Sequence, residues 1–314
     1  MRVVFFGTPD VAETTLAWLI ESGVTIPLVV TQPDRAVGRS KKLVPPPVKR
    51  LALEHGLPVE QPEKVRTRSF RERIGALEPD VLAVVAYGRI LSQRLLDQTP
   101  WGAVNVHFSL LPKYRGAAPV QWALANGEAQ TGVTTMRMNA RLDEGDILMQ
   151  RARTIEAGEH APQLAQRLAA DGAELLMQTL EQLRDGKAQP VEQQHDQASY
   201  APILTRRDGW VDPAQQTAIE IEGRVRGFDP WPGVWMQCDG KRWRITRATA
   251  LGSSDDGDAG TLVALDDGYA MRCREGMLRL DELQPEGRRR MPVEDAINGR
   301  QLTLDARFEA RVEG

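Results

Sequence analysis

The sequence has only two cysteines in 314 residues, Cys238 and Cys273. Two thiols so placed make neither a disulfide framework nor a C-x-x-C metal pair. Long apolar runs are missing too: nothing approaches the roughly 20 consecutive residues of a membrane helix, so no membrane partner is expected. The opening Met1-Arg2-Val3-Val4-Phe5-Phe6-Gly7 is shorter than the apolar region of a signal peptide and reads instead as a first strand. A cytoplasmic protein is the expectation. There is no surplus of either charge. Forty Lys and Arg stand against 43 Asp and Glu, a net −3 that excludes a generically basic nucleic-acid protein. Internal repeats and heptads are lacking. Gly7-Thr8-Pro9-Asp10 closes the first strand with only one glycine of a G-x-G-x-x-G fingerprint, so no nicotinamide or flavin cofactor is expected.

What is present is an ordinary globular composition, 41% hydrophobic and 26% charged. The length fits about two domains at roughly 100–200 residues each. Over the first half, short apolar β-like runs (Arg2–Phe6, Thr25–Val30, Val81–Val85, Ala103–His107) alternate with amphipathic stretches (Asp10–Ser22, Val48–His55, Arg68–Leu77). That alternation predicts an α/β domain on a Rossmann-like parallel sheet, with ligands at the carboxyl ends of the strands. Ala161–Leu168 and Ala173–Leu183 read as two helical runs that end this domain. Composition then turns polar from Gly186 to Asp208. Beyond it lie five short strand-like runs (Gly233–Cys238, Arg242–Thr246, Gly260–Leu265, Ala270–Arg274, Met277–Leu283), with Ser253–Asp258 as an exposed hairpin loop. They suggest a small antiparallel, OB-like β-barrel. The expected division is a first domain at 1–188, a linker at 189–208 and a C-terminal barrel at 209–314.

Chemistry concentrates in Asn105-Val106-His107-Phe108-Ser109-Leu110-Leu111-Pro112, followed by Arg115-Gly116. On a strand, residues two apart face the same side, so Asn105 and His107 project together. An amide donor beside an imidazole suits polarisation of a carbonyl and transfer of a proton. Taken alone, one Asn-x-His pair is better explained by a structural hydrogen bond. Leu142-Asp143-Glu144-Gly145-Asp146 is an acidic turn whose carboxylate could approach His107, or simply a turn. Between Arg35 and Arg50 the cations Arg35, Arg39, Lys41, Lys42, Lys49 and Arg50 occur with no acidic residue among them. As a lone cluster this also fits a solvated loop.

Taken together, Asn105-x-His107, Ser109–Pro112, Arg115-Gly116 and Leu142-Asp143-x-Gly145-Asp146 resemble the formyltransferase family that uses 10-formyltetrahydrofolate. The resemblance implies that Asn105, His107 and Asp143 are catalytic. It places Ser109, Leu110, Leu111 and Pro112 against the folate. It also gives Tyr87, Gly88, Arg89, Ile90 and Leu91 to the loop that holds the pterin through backbone groups. No metal and no covalent enzyme intermediate are implied. Phe6-Gly7-Thr8-Pro9-Asp10, the basic segment 31–49 and Phe228-x-Pro230-Trp231-Pro232-Gly233 are similar to family members whose acceptor is initiator methionyl-tRNA. For such members Arg35, Arg39, Lys41, Lys42 and Lys49 are implied tRNA contacts. Lys241-Arg242-Trp243-Arg244-Ile245-Thr246-Arg247 alternates cations with an aromatic and adds Arg244. A monomer is expected. Two positions depart from the family pattern, Phe108 at the pocket wall and Val11 near the methionine side chain. The rival readings are transfer to an amino sugar nucleotide, hydrolysis of the formyl-folate, and a non-catalytic tRNA-binding protein.

Overall fold

The computed structural model describes residues 1–37, 42–252 and 257–310. It divides into two compact units. The first comprises residues 1–119, 130–154 and 165–202; the second comprises 120–129, 155–164 and 203–314.

In the first unit, β1 (Arg2–Gly7) enters α1 (Asp10–Glu21), and β2 (Thr25–Val30) follows. A hairpin of β3 (Arg35–Val37) and β4 (Lys42–Val44) leads to α2 (Pro47–Glu54), β5 (Val59–Glu60), α3 (Arg68–Gly75) and β6 (Val81–Val85). Next along the chain come α4 (Gln93–Leu96), β7 (Ala103–His107), β8 (Arg115–Gly116), α5 (Pro119–Ala125), β9 (Gln130–Arg137), β10 (Ile147–Thr154) and α6 (Ala161–Arg184); of these, α5 from residue 120 and the first turn of α6 belong to the second unit. The main sheet has the order β10-β9-β7-β6-β1-β2-β5. Its five strands β7, β6, β1, β2 and β5 are parallel, while β9 and β10 run antiparallel on one side. The predicted Rossmann-like α/β class is thus found, as a mixed sheet.

Burial explains why these segments are strands. Four consecutive residues of β1, Val3 to Phe6, and all five of β6 are buried, the continuous apolar run expected of a parallel strand covered on both faces. Val4, Phe6, Leu28, Val30, Leu82 and Val84 share one core with Phe70 and Ile74 of α3 and Leu95 of α4. Phe6 meets Phe70 and Tyr87 edge to face, at centroid distances of 6.3 and 5.3 Å. Acidic Asp10 and Glu13 occupy the first turn of α1, where the helix dipole favours them. Thr67 caps α3 by accepting from the Phe70 amide.

The two helical runs expected at 161–168 and 173–183 are one helix of 24 residues, α6. Ala169-Ala170-Asp171-Gly172 interrupts the apolar pattern without interrupting the backbone. A Cβ at Gly172 would lie 2.8 Å from Val106, so the small residue lets α6 pack closely on β7. Beyond α6, within the polar stretch, Val191 bridges Ile147, and β11 (Tyr200–Ala201) pairs in parallel with β8.

The second unit holds α7 (Ala218–Gly227), started by a Thr217–Glu220 capping box, and an antiparallel sheet. Its strands are β12 (Val234–Cys238), β13 (Lys241–Leu251), β14 (Leu262–Leu265), β15 (Gly268–Arg272), β16 (Met277–Pro285) and β17 (Met291–Pro292), followed by α8 (Val293–Asn298). The sheet order is β12-β13-β16-β15-β14, with β17 on β16. The chain after α8 then bonds both edges: Glu309 exchanges two backbone bonds with Gln237 of β12, and Ala306 accepts from the Leu262 amide of β14. This return closes the sheet toward the expected barrel. Of the hairpin loop expected at 253–258, residues 253–256 lie outside the described residues.

Phe6→Ala removes a ring from the centre of the first unit's core. It should lower that unit's stability by about 3–5 kcal/mol, as large-to-small core changes do, read as an earlier midpoint in urea unfolding.

Candidate active site

β7 runs in the middle of the sheet and carries Asn105 and His107 toward its carboxyl end. Asn105 lies opposite Val84 of β6 and Met136 of β9 in register. Residues paired in register share a face, so Asn105 and His107 stand on the side of Val84, away from α6. There they line a cavity of about 730 Å³ in the first unit, with Asp143, the Ala86–Leu91 loop, Phe108, Met136 and Leu142 among its walls.

Both ring nitrogens of His107 have defined surroundings, and the ring is buried. Nε2 lies 2.8 Å from the carbonyl oxygen of Tyr114. A carbonyl only accepts, so Nε2 carries the proton and donates. Nδ1 is left facing the Asp143 carboxylate at 3.8 Å, beyond hydrogen-bond reach. That gap leaves Nδ1 as the ring atom able to exchange a proton with a reacting group or with Asp143. The Asp143 Oδ2 accepts from the Gly116 amide at 2.8 Å, which fixes the carboxylate from the other side.

Backbone conformation around the site is unusual. Ala86, Tyr114 and Asp143 have φ of +44°, +62° and +52°, in the left-handed region that costs non-glycine residues energy. Each supplies something the site uses. Ala86 turns the chain from β6 into the cavity loop, Tyr114 aims its carbonyl at His107, and Asp143 aims its carboxylate. The acidic turn also passes close to its neighbour, because a Cβ at Gly145 would overlap the Arg137 carbonyl.

The expected pterin loop lines the cavity from Tyr87 to Leu91. Its side chains mostly turn away: Tyr87 is buried beside Phe6, and burial pushes its phenol up to about 12, with Arg89 a smaller opposing influence. Arg89 donates to Gln32 Oε1 at 3.1 Å and to the carbonyls of Pro62 and Glu63. Ile90 is 69% exposed and offers the loop's free apolar surface. Gln32, which sequence reasoning did not single out, also donates to the Tyr87 carbonyl at 3.0 Å and so sets the loop's path.

Ser109, Leu110, Leu111 and Pro112 are not among the residues lining that cavity. Ser109 donates to the Lys113 carbonyl at 2.6 Å. The Leu111 amide donates to Thr134, and its carbonyl accepts from Gln150. These residues brace the turn between His107 and Tyr114. Phe108, by contrast, is a cavity wall.

The expected tRNA contacts divide. Arg35 and Lys42 are exposed on the β3–β4 hairpin, in register across from Val44 and Val37. Arg39 and Lys41 lie outside the described residues. Lys49 donates to both Asp34 oxygens, at 2.8 and 2.9 Å, and to Gln61 at 2.7 Å. Hydrogen bonds from Lys49 and Gln61 in turn hold the Asp34 carboxyl below its usual range. In the second unit, the Arg244 Nη2 is held by Asp229 at 3.2 Å and the Pro230 carbonyl at 2.8 Å.

Arg115 is the buried charge behind the site. Its guanidinium reaches Gln193, His195 and Glu144. Arg115-Gly116 belonged to the recognised motif, but no local pattern marks Gln193, 78 positions away.

A donor amide and an imidazole at the end of β7 and a carboxylate from the 141–146 turn thus border one cavity. The family model described as formyl transferase matches residues 1–180, and that of the formyl transferase C-terminal domain matches 203–301. The chain belongs to the formyl transferase family. The methionyl-tRNA formyltransferase of Geobacter sulfurreducens is 46% identical over 309 residues, covering 98% of this chain and 96% of the relative. That of Acidobacterium capsulatum is 46% identical over 312 residues, covering 99% and 100%. Among solved structures, the sugar 3N-formyl transferase WlaRD, determined with dTDP and 5-N-formyl-THF, superposes with a TM-score of 0.67 at 15% identity, covering 92% of this chain and 99% of its own. At that identity the likeness concerns the fold alone.

Gly145→Ala should force the 141–146 turn off the Arg137 carbonyl, at a cost of about 1–3 kcal/mol in stability. Thermal melts should show the loss. Amide exchange should show faster exchange at Gly116, whose bond to Asp143 would open; unchanged exchange there would mean that the turn absorbs a side chain freely.

Proposed function

We propose that the protein transfers the formyl group of 10-formyltetrahydrofolate to the α-amino group of initiator methionyl-tRNA, acting in the cytoplasm. The observation that carries this reading is the shared cavity of Asn105, His107, Asp143 and the Ala86–Leu91 loop. The choice of acceptor is supported by full-length similarity to methionyl-tRNA formyltransferases and by a cation-bearing hairpin next to β2.

In this reading the neutral amine attacks the formyl carbon. A C–N bond forms and the carbonyl oxygen becomes an oxyanion. Asn105 donates to it through its amide, and His107 through Nδ1 when that atom carries a proton. Preorganised donors of this kind are each worth about 2.7–4 kcal/mol in the transition state. The amine proton passes to Asp143, directly or by way of His107. Collapse then breaks the bond between the formyl carbon and folate N10, and N10 takes up the proton. The products are formylmethionyl-tRNA and tetrahydrofolate, so atoms balance without a covalent enzyme intermediate.

The folate would lie along the Tyr87–Leu91 backbone and Ile90. Ser109 to Pro112 would support it indirectly, by holding the turn that aims Tyr114. For the tRNA, Arg35 and Lys42 offer exposed charge on the hairpin, and Arg39 and Lys41 stand between them in sequence. Lys49 and Arg244 would contribute to the field around phosphates while remaining tied to Asp34 and Asp229. Transfer to an amino sugar nucleotide is the second reading, and the cationic hairpin gives it no role.

Purified protein, 10-formyltetrahydrofolate and charged initiator methionyl-tRNA should yield formylmethionine after deacylation. His107→Ala should lower kcat by about 10²–10³, the usual loss on removing an oxyanion donor. Arg39→Ala should instead raise KM for the tRNA and flatten its salt dependence, because one phosphate contact fewer releases fewer counterions. Folate binding without formylation of this tRNA by the wild-type protein would overturn the reading in favour of another acceptor.

A further inference from the structure

Residues 189–202, in the polar stretch after α6, contribute directly to the geometry of the site. Gln193 is 3% exposed. Its Nε2 donates to the carbonyls of Asp143 and Gly145, at 2.8 and 2.7 Å. Its Oε1 accepts from Arg115 Nε at 3.1 Å and Nη2 at 2.7 Å. The amide cannot be turned over. A guanidinium has only donors, so Oε1 must face Arg115 and the NH₂ must face the two carbonyls. Arg115 is itself 1% exposed and is oriented by His195 Nδ1, which accepts from Nη2 at 2.9 Å.

The two carbonyls flank the turn in which Asp143 adopts φ of +52°. Relaxing that residue to an ordinary conformation would swing both carbonyls and break two buried hydrogen bonds, each expensive to leave unmade. The same rotation would move the carboxylate that sits 2.8 Å from the Gly116 amide and 3.8 Å from His107 Nδ1. A second anchor from this stretch serves the other partner. Ser199 Oγ accepts from the Tyr114 amide at 2.9 Å, and the Tyr114 carbonyl accepts from His107.

We infer that Gln193 is a positioning residue for formyl transfer, holding the Asp143 carboxylate opposite His107 through the two carbonyls it binds. The inference rests on the proposed role of Asp143 in that reaction.

Gln193→Glu is the discriminating variant. It keeps an acceptor for Arg115 and turns a carboxylate oxygen toward the two carbonyls in place of the donors. The melting temperature should fall, because two buried carbonyls lose their donor, so rates are read at a temperature where the variant remains folded. The kcat for formylation of initiator methionyl-tRNA should fall about tenfold or more, as misplacement of a reacting group by a fraction of an ångström does. KM for 10-formyltetrahydrofolate should stay within about threefold, since the variant alters geometry at the reacting groups rather than uniform binding. The Gly116 amide should exchange faster while core amides such as that of Phe5 do not. In an Asp143→Asn background the same change should cost no further rate, because residues acting through one group are not additive. A second variant, Gln193→Met, removes both carbonyl bonds without adding charge and is read at a temperature where it remains folded.

Wild-type kcat together with wild-type exchange at Gly116 in either variant would overturn the inference, as would a fully additive loss in the Asp143→Asn background. Failure of the functional reading looks different. There the wild-type protein would not formylate the tRNA at all, and exchange at Gly116 would still report whether Gln193 holds the turn.

Discussion

The site depends on one buried guanidinium. A charge as enclosed as that of Arg115 costs several kcal/mol to desolvate unless its donors are answered. The answering groups come from distant parts of the chain: Gln193 and His195 from beyond α6, and Glu144 from the acidic turn. Satisfying Arg115 therefore brings the β7–β8 turn, the 141–146 turn and the 191–201 segment into one register. The backbone repeats the constraint, since β8 and β11 pair and the Ser199 carbonyl accepts from the Arg115 amide. With those segments fixed, His107 and Asp143 have little freedom left.

Strain is placed where this network can hold it. Tyr114 and Asp143 both occupy the left-handed region, and each is tied at two or more points. The carbonyl of Tyr114 serves His107 and its amide is held by Ser199. Asp143 is held by its side chain at Gly116 and by its carbonyl at Gln193. Such conformations persist only when surrounding contacts over-determine them. The result is that His107 and Asp143 are held facing each other by fixed contacts.

The cationic segment shows the opposite economy. Lys49 lies in a basic run by sequence, yet it closes a compact polar knot with Asp34 and Gln61 at the base of the hairpin. That knot leaves Arg35 and Lys42 as exposed charge above it. Arg244 is likewise held by Asp229 within its own unit. One-dimensional counting of cations overstates the charge available to a partner, because neutralising carboxylates can sit outside the run or arrive from elsewhere.

Much of the fold was legible because it is written in local periodicity. The apolar runs Val3–Phe6 and Val81–Val85 read as doubly covered strands, and the alternation of strand and helix pointed to the parallel part of the sheet. Asn105 and His107 were legible as a pair because strand geometry alone puts them on one face. The continuity of α6 was not, since Gly172 looks like a break until β7 is seen packed against it. Nor was the bracing role of Ser109–Pro112, which depends on Thr134 of β9 and Gln150 of β10. The sequence by itself determined the parallel strands, through short-range spacing, and the family, through the resemblance of its motifs. Only the tertiary structure decided which nitrogen of His107 faces Asp143, which cations stay exposed, and that Gln193 belongs to the site. Those are properties of hydrogen-bond partners dozens of residues apart, and a buried donor or acceptor chooses its partner by position in space, not by position along the chain.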